Sequence, residues 1–153
     1  KGRRHILYII REMLDFHPQS RRTDVKQALE FLTSVTKRRC TAFVLSDFYD
    51  RQDFLQPLQI ANRKHDVVAL QVDDLRAREL PNVGLMRVVD AETGHEQLID
   101  TGSRSLRQSY ERFWRQRQER LRETMNKSNV DLVSIATNED YVKALLLLFK
   151  QRS

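Results

Sequence analysis

The chain has 153 residues, 40% of them hydrophobic, which is enough for a single domain with a real core. Its first residues are too basic and too periodic for us to expect a secretory signal there, and no apolar run comes near the ~18 residues that span a bilayer. Its formal charge of +6 favours acidic partners, whereas 27 basic residues interspersed with 21 acidic ones are also typical of an ordinary mixed surface. The single cysteine, Cys40, excludes an intramolecular disulfide, and we expect a soluble, cytoplasmic protein in which Cys40 is a small buried hydrophobe.

The first two predicted elements are helices. Apolar residues recur at helical spacing over residues 4–16 and predict an amphipathic helix, followed by a loop at residues 17–22. Thr23 and Asp24 then supply an N-cap and a first-turn carboxylate for a second helix, which we expect to end near residue 37. Because the chain enters this periodicity at once, we expect it to be part of a longer protein.

Two apolar runs that end on carboxylates predict neighbouring parallel strands. Residues 40–46 form the first run, which predicts a strand buried on both faces. Asp47 follows this run directly. Residues 66–72 form the second run, and Asp73 and Asp74 follow it. Ligands of open parallel sheets bind at the carboxyl ends of the strands, so these acids are the first candidates for chemistry.

The remaining elements complete an alternation of strands and helices. A helix starting close to Pro57 lies between the two runs, because proline is tolerated only near a helix start. The segment at residues 85–99 predicts a β-hairpin around a Gly-containing loop. A long helix at residues 103–127, a third buried strand at residues 129–136 and a final helix follow. This alternation predicts a three-layer α/β fold, with a mainly parallel sheet, helices on both faces and a hairpin insertion.

Several kinds of site are disfavoured by the spacing of their residues. The four histidines lie far apart and lack metal-ligand spacing, so each is expected at a surface or interface. No Gly-rich phosphate loop and no serine nucleophile motif is present. The arginine-rich helix at residues 103–127 could bind nucleic acid, but its aromatic residues fall on an apolar stripe that core packing explains.

The acids at the strand ends leave two interpretations open. Asp47, Asp50, Asp73 and Asp74 could gather around Mg²⁺, as in a metal-dependent phosphoryl hydrolase or nuclease. Alternatively, they are turn residues and helix caps, which are common at the ends of strands.

Five short segments stand out along the chain. They are residues 23–29 (TDVKQAL), 43–48 (FVLSDF), 65–70 (HDVVAL), 80–84 (LPNVG) and 90–94 (DAETG). In order and spacing they resemble the bacterial domain-of-unknown-function family number fifty-eight over essentially the whole chain. The resemblance implies a von Willebrand factor A-like domain of Rossmann-type topology, of which residues 1–153 would be the truncated, C-terminal portion.

The resemblance also implies a metal-ion-dependent adhesion site built from three loops at the carboxyl edge of the sheet. Thr23 matches the threonine of the second loop and Asp47 the aspartate of the third, but the chain contains no Asp-x-Ser-x-Ser for the first loop. Mg²⁺ held by one hydroxyl and one carboxylate would keep most of its waters. We therefore expect Mg²⁺ in the full-length protein and no cofactor in this chain.

The partners implied by the resemblance are other proteins. The strand at residues 40–46 would lie beside an opening strand that the chain lacks, and an unpaired apolar edge predicts self-association. The family is associated with MoxR-type AAA+ ATPases in protein assembly or maturation. The resemblance therefore implies a non-enzymatic interaction module without catalytic residues, nucleic acid or membrane contact.

Overall fold

The helical and apolar patterns of the sequence form helices and strands in the computed structural model, which describes residues 2–17, 23–50, 52–90 and 92–152. The helices are α1 (Arg3–Asp15), α2 (Val25–Val35), α3 (Leu55–Lys64), α4 (Arg104–Lys127) and α5 (Tyr141–Arg152). The strands are β1 (Thr41–Ser46), β2 (Asp66–Asp73), β3 (Leu85–Val89), β4 (Glu96–Asp100) and β5 (Asp131–Ala136). Residues 18–22 of the predicted loop and Ala91 of the predicted hairpin turn lie outside the described residues.

The sheet is parallel and is centred on β2. Its strand order is β1-β2-β5, so Val68 of β2 is in register with Phe43 on one side and Asp131 on the other. β3 and β4 form a separate antiparallel hairpin, and Gly94 at φ 71° takes the left-handed position in its turn. The predicted α/β class, the parallel sheet and the hairpin are confirmed.

Helices pack on both faces of this sheet, because successive side chains of β2 point to opposite sides. Val67 and Ala69 belong to a larger cluster with α2, α3 and α4. Val68 and Leu70 point the other way and belong to a smaller cluster with Leu148 of α5. β2 is therefore covered from both sides, as its unbroken apolar run predicts.

β1 is an edge strand, and the prediction that residues 40–46 are buried on both faces is wrong. Ala42 and Val44 pack against the larger cluster, but Phe43 is 42% exposed and Leu45 is 62% exposed on the opposite face. The physical reason is that α5 packs over β2 and β5, and it meets β1 through the ring of Phe149 at 6.3 Å from that of Phe43. β5, at the other edge, is likewise only half-buried.

α1 forms as predicted, but it buries none of its side chains. Its apolar residues are between 44% and 79% exposed: Ile6, Ile9, Ile10, Met13 and Leu14. An amphipathic helix normally places such a stripe against a core. The apolar face of α1 is instead open.

The cap of α2 differs from expectation, whereas the start of α3 agrees with it. The N-cap of α2 is Asp24, whose Oδ1 accepts a hydrogen bond from the Gln27 N–H at 2.7 Å, so Thr23 is not the capping residue. α3 begins at Leu55, which places Pro57 in its first turn, where a missing N–H removes no intrahelical bond.

We expect the core face of α2 to contribute strongly to stability. Leu29 is 1% exposed in the larger cluster, and Leu29→Ala should lower the free energy of unfolding by about 2–5 kcal/mol because it leaves a cavity. Phe31→Ala on the same helix is the control, since Phe31 is 67% exposed and its loss should change stability by only about 0.5 kcal/mol. Urea unfolding followed by circular dichroism measures both, and equal losses would contradict this packing of α2.

Candidate functional site

The candidate site lies where β1 and β2 end. Because these strands run parallel, the loops that follow them leave the sheet at the same edge. Asp47 and Asp50 follow β1, and Asp73 is the last residue of β2. The predicted acids therefore all lie near the carboxyl edge of the sheet.

The loop after β1 is joined to the start of α2 by two side-chain hydrogen bonds. Asp50 Oδ2 accepts from the Val25 N–H at 2.8 Å, and Gln52 Nε2 donates to Asp24 Oδ2 at 3.1 Å. Asp50 Oδ1 also accepts from the N–H of Gln52 at 2.8 Å. One carboxylate thus orders its own loop and supplies an acceptor that the N-terminus of α2 needs.

The two residues matched to a metal site, Thr23 and Asp47, each take part in a hydrogen bond, the first to the hairpin and the second within its own loop. The Thr23 N–H donates to Glu92 Oε1 of the hairpin at 3.0 Å, and Asp47 Oδ1 accepts from the Tyr49 N–H at 3.0 Å in an Asx turn. Within the described ranges, no group of three or more His, Cys, Asp or Glu side chains could hold a metal ion. The side chains present do not form a complete Mg²⁺ site, which requires a near-octahedral set of oxygens.

The two acids at the end of β2 each bind a different arginine of the following turn. Asp73 is buried and pairs with Arg78, whose Nε lies 2.6 Å from Asp73 Oδ2. Asp74 is exposed, and its Oδ1 accepts from the Arg76 N–H at 2.9 Å. Each of these carboxylates thus stabilises the turn after β2.

The backbone at the carboxyl edge is strained at Phe48. Its φ of 55° lies in the left-handed region, which a bulky residue adopts only when its surroundings fix it. The Phe48 N–H donates to Ser46 Oγ at 2.9 Å, and its carbonyl accepts from Arg117 Nη2 at 2.7 Å. Its buried ring lies 6.1 Å from that of Phe54. The ring is therefore anchored in the core while the preceding Asp47 carboxylate stays exposed.

Arg117 of α4 lies against this loop, although it is 69 residues from Phe48 in sequence. Its guanidinium carbon is 3.7 Å from the centroid of the Tyr49 ring, which meets Trp114 edge-on at 5.4 Å. Burial lowers the pKa of Arg117 from its ordinary value and raises that of Tyr49. The groups that favour the charged guanidinium are Tyr49, Asp47, Asp50 and Glu92.

The sequence does not single out Arg117, because it shows this residue only as one of several arginines of α4 that could form a nucleic-acid surface. Arg115, two positions earlier, illustrates the ordinary case: it pairs with Glu111 at 2.8 Å on an exposed face. The predicted apolar stripe of α4 is correct for Trp114, which is buried, and wrong for Phe113, which is exposed because it falls outside the face that meets the core.

An open cleft of about 440 Å³ lies beside Arg117, between α4 and the loop after β1. Its lining combines aromatic side chains with polar ones, among them Phe48, Phe113, Gln71 and Arg120. Gln71 is buried in the sheet, and its Oε1 accepts from Ser134 Oγ at 3.0 Å. Apolar walls with a few polar groups are typical of concave binding sites.

At the opposite, amino edge of the sheet, Cys40 contacts a histidine. Its Sγ lies 3.5 Å from Nδ1 of His65, and His65 is fully buried, so the prediction of a surface or interface position is wrong for this histidine. His65 lies between α3 and β2, where the chain turns into the sheet. Its Nε2 has no hydrogen-bond partner in the described part of the chain.

These features define an α/β protein whose candidate site is made by loops at the carboxyl edge of a parallel sheet. The chain belongs to the family described as Protein of unknown function DUF58, whose model matches residues 1–120, so the predicted family is confirmed. No solved structure matches the chain significantly. Among the residues that the structure describes, no helix is both long and apolar enough to cross a membrane.

The curated relatives are mycobacterial. The chain is 28% identical to the uncharacterized proteins Mb1516 of Mycobacterium bovis and Rv1480 of Mycobacterium tuberculosis, over 99% of this chain and 48% of theirs. It is also 28% identical to the uncharacterized protein MAV169 of Mycobacterium avium, over 88% of this chain and 79% of that protein. The chain thus spans about half the length of the first two relatives.

Removing the Asp50 carboxylate should loosen the carboxyl edge. Asp50→Ala leaves the N–H groups of Val25 and Gln52 without their acceptors, and we expect it to lower the free energy of unfolding by about 1–2 kcal/mol. Asp74→Ala is the matched control, because it removes one acceptor within a single exposed turn and should cost about 0.5 kcal/mol. Chemical denaturation gives the free energy of unfolding of both variants. A larger loss of stability for Asp74→Ala than for Asp50→Ala would be inconsistent with the role of Asp50.

Proposed function

We propose that the chain is a non-enzymatic protein-interaction module. The observation that carries this proposal is the amount of apolar surface left open on two elements. These surfaces are the apolar face of α1 and the face of β1 that carries Phe43 and Leu45. Large apolar patches on a folded protein mark sites of association with other molecules.

We propose further that β1 mediates self-association. Its outer edge has no proline and no charged residue between Thr41 and Ser46, and these are the usual devices that prevent strands from pairing between chains. Two copies placed edge to edge would satisfy the open backbone groups of both strands. A twofold arrangement would also bring Phe43 and Leu45 of the two copies onto one face.

The proposed partner in the longer protein is a MoxR-type AAA+ ATPase, acting in the assembly or maturation of other proteins. The support for this partner is membership of the family together with the resemblance to von Willebrand A-like domains. Thr23 and Asp47 would supply two of the ligands through which Mg²⁺ bridges to a carboxylate of the partner. Since the chain spans about half the length of its first relatives, this part of the proposal concerns the longer protein.

Self-association should depend on the apolar face of β1. Leu45→Lys places a charge on this face, and we expect the dissociation constant of the self-associated form to rise about tenfold or more, because the ammonium resists desolvation. Gln56→Lys, which adds the same charge at an exposed position of α3, should leave the dissociation constant unaltered. Sedimentation velocity over a range of concentrations measures both, and a wild-type chain that stays monomeric throughout would refute the self-association.

Binding of the ATPase should depend on the two matched residues. In the full-length protein with Mg²⁺ present, Thr23→Ala and Asp47→Asn should each weaken the affinity about tenfold, because each removes one oxygen ligand. Asp74→Asn should have no effect, whereas a hydrolase or nuclease built on the four acids would lose activity with it. Biolayer interferometry with the immobilised ATPase gives the affinities, and full binding by both variants would contradict the adhesion-type mode.

A further inference from the structure

We propose that Arg117 supplies a permanent positive charge at the carboxyl edge of the sheet. Its contacts hold the loop after β1 in place, and its charge keeps divalent cations from binding strongly beside that loop. This inference rests on the proposed function only in taking that edge as the place of the Mg²⁺ bridge, and it concerns this chain by itself, without the further ligands that such a bridge requires in the longer protein. Its starting point is the disagreement between the Mg²⁺ site that the resemblance implies and the side chains that the structure brings together.

The first support is the hydrogen bond from Arg117 to the strained residue of the loop. Arg117 Nη2 donates to the Phe48 carbonyl at 2.7 Å, and Phe48 has the left-handed φ of 55°. A bulky residue keeps such a conformation only where several contacts fix it. Arg117 supplies one of these contacts from a different element, which links the loop directly to α4.

The second support is the stacking of the guanidinium on the next residue. The Arg117 guanidinium carbon is 3.7 Å from the centroid of the Tyr49 ring, within the range of a cation–π contact. Tyr49 is fixed from another side by the edge of Trp114 at 5.4 Å. Held by both the Phe48 carbonyl and the Tyr49 ring, the guanidinium cannot swing away without breaking two contacts.

The third support is the charge of the surroundings. The acids that act on Arg117 are Asp47 and Asp50 of the loop and Glu92 of the hairpin. Arginine stays protonated at any physiological pH, so it contributes a permanent positive charge among them. A divalent cation that approaches Asp47 meets this charge, and its binding is weakened by repulsion at short range.

The matched control lies on the same helix. Arg115 is exposed and pairs with Glu111 one turn earlier at 2.8 Å. Arg115→Gln therefore removes the same charge from the same element without touching the loop. If the affinity for divalent cations depends only on the net charge, both Gln variants will change it. If it depends on the position of the charge, only Arg117→Gln will change it.

The test combines a metal titration with a local optical probe. Mn²⁺ binding is followed by electron paramagnetic resonance in the wild type, Arg117→Gln, Arg117→Lys and Arg115→Gln, each checked for folding by circular dichroism. We expect Arg117→Gln to bind Mn²⁺ roughly fivefold more tightly than the wild type, from the loss of a nearby charge. Arg117→Lys, which keeps the charge, and Arg115→Gln should match the wild type.

The optical probe reports on the loop. Trp114 is the single tryptophan, so the fluorescence of the protein reports on this one side chain. Because Trp114 contacts Tyr49, its emission responds to the position of that ring. Both Arg117 variants should shift this emission to longer wavelength, because lysine lacks the planar group that stacks on the ring, and Arg115→Gln should not. If Arg117→Gln does not fold, Arg117→Lys still tests the stacking, and wild-type emission in that variant overturns the positioning role.

Equal Mn²⁺ affinity of wild type and folded Arg117→Gln would overturn the exclusion of divalent cations. Neither measurement requires the ATPase or a second copy of the chain. Loss of partner binding with these effects intact would therefore count against the proposed function alone.

Discussion

Burial of β2 is the constraint on which the rest of the structure depends. Among the strands described, β2 has a neighbour on each side, and its apolar side chains are enclosed by helices on both faces. β2 is parallel to both neighbours, and parallel neighbours need crossover connections, so α3 and α4 lie between consecutive strands of the sheet and pack on it. The same geometry brings the carboxyl ends of β1 and β2 to one edge, where the loops that carry Asp47 and Asp73 begin.

The two faces of the sheet are covered unequally, and this asymmetry accounts for the open apolar surface. Three helices enclose the face that carries Val67 and Ala69, whereas in the described part of the chain α5 is the one helix that packs on the face of Val68 and Leu70. One helix is about 10 Å wide, and three strands are wider than that. The outer strand β1 therefore keeps Phe43 and Leu45 in solvent, at the cost of hydrophobic free energy that association would recover.

Local patterns predicted the elements well, and long-range contacts account for what they missed. The periodicity of α4, the apolar run of β2 and the Gly-containing turn of the hairpin each determine their own structure. The exposure of β1 is not visible in its residues, because Thr41–Ser46 reads the same whether or not a neighbour covers it. The contacts of Arg117 with Phe48 and of Cys40 with His65 join residues far apart in sequence, and no spacing rule relates them.

A guanidinium and a divalent metal order a loop in different ways, and the difference affects which groups can bind at the edge. A bound Mg²⁺ keeps exchangeable positions in its coordination shell, so a partner carboxylate can enter it. Arg117 commits one donor to the Phe48 carbonyl and one face to the Tyr49 ring, which leaves fewer donors for a partner. The positive charge of Arg117 is thus engaged inside the protein, whereas the carboxylate of Asp47 is exposed to solvent. A metal bridge of the kind proposed for the longer protein therefore requires oxygen ligands beyond Thr23 and Asp47.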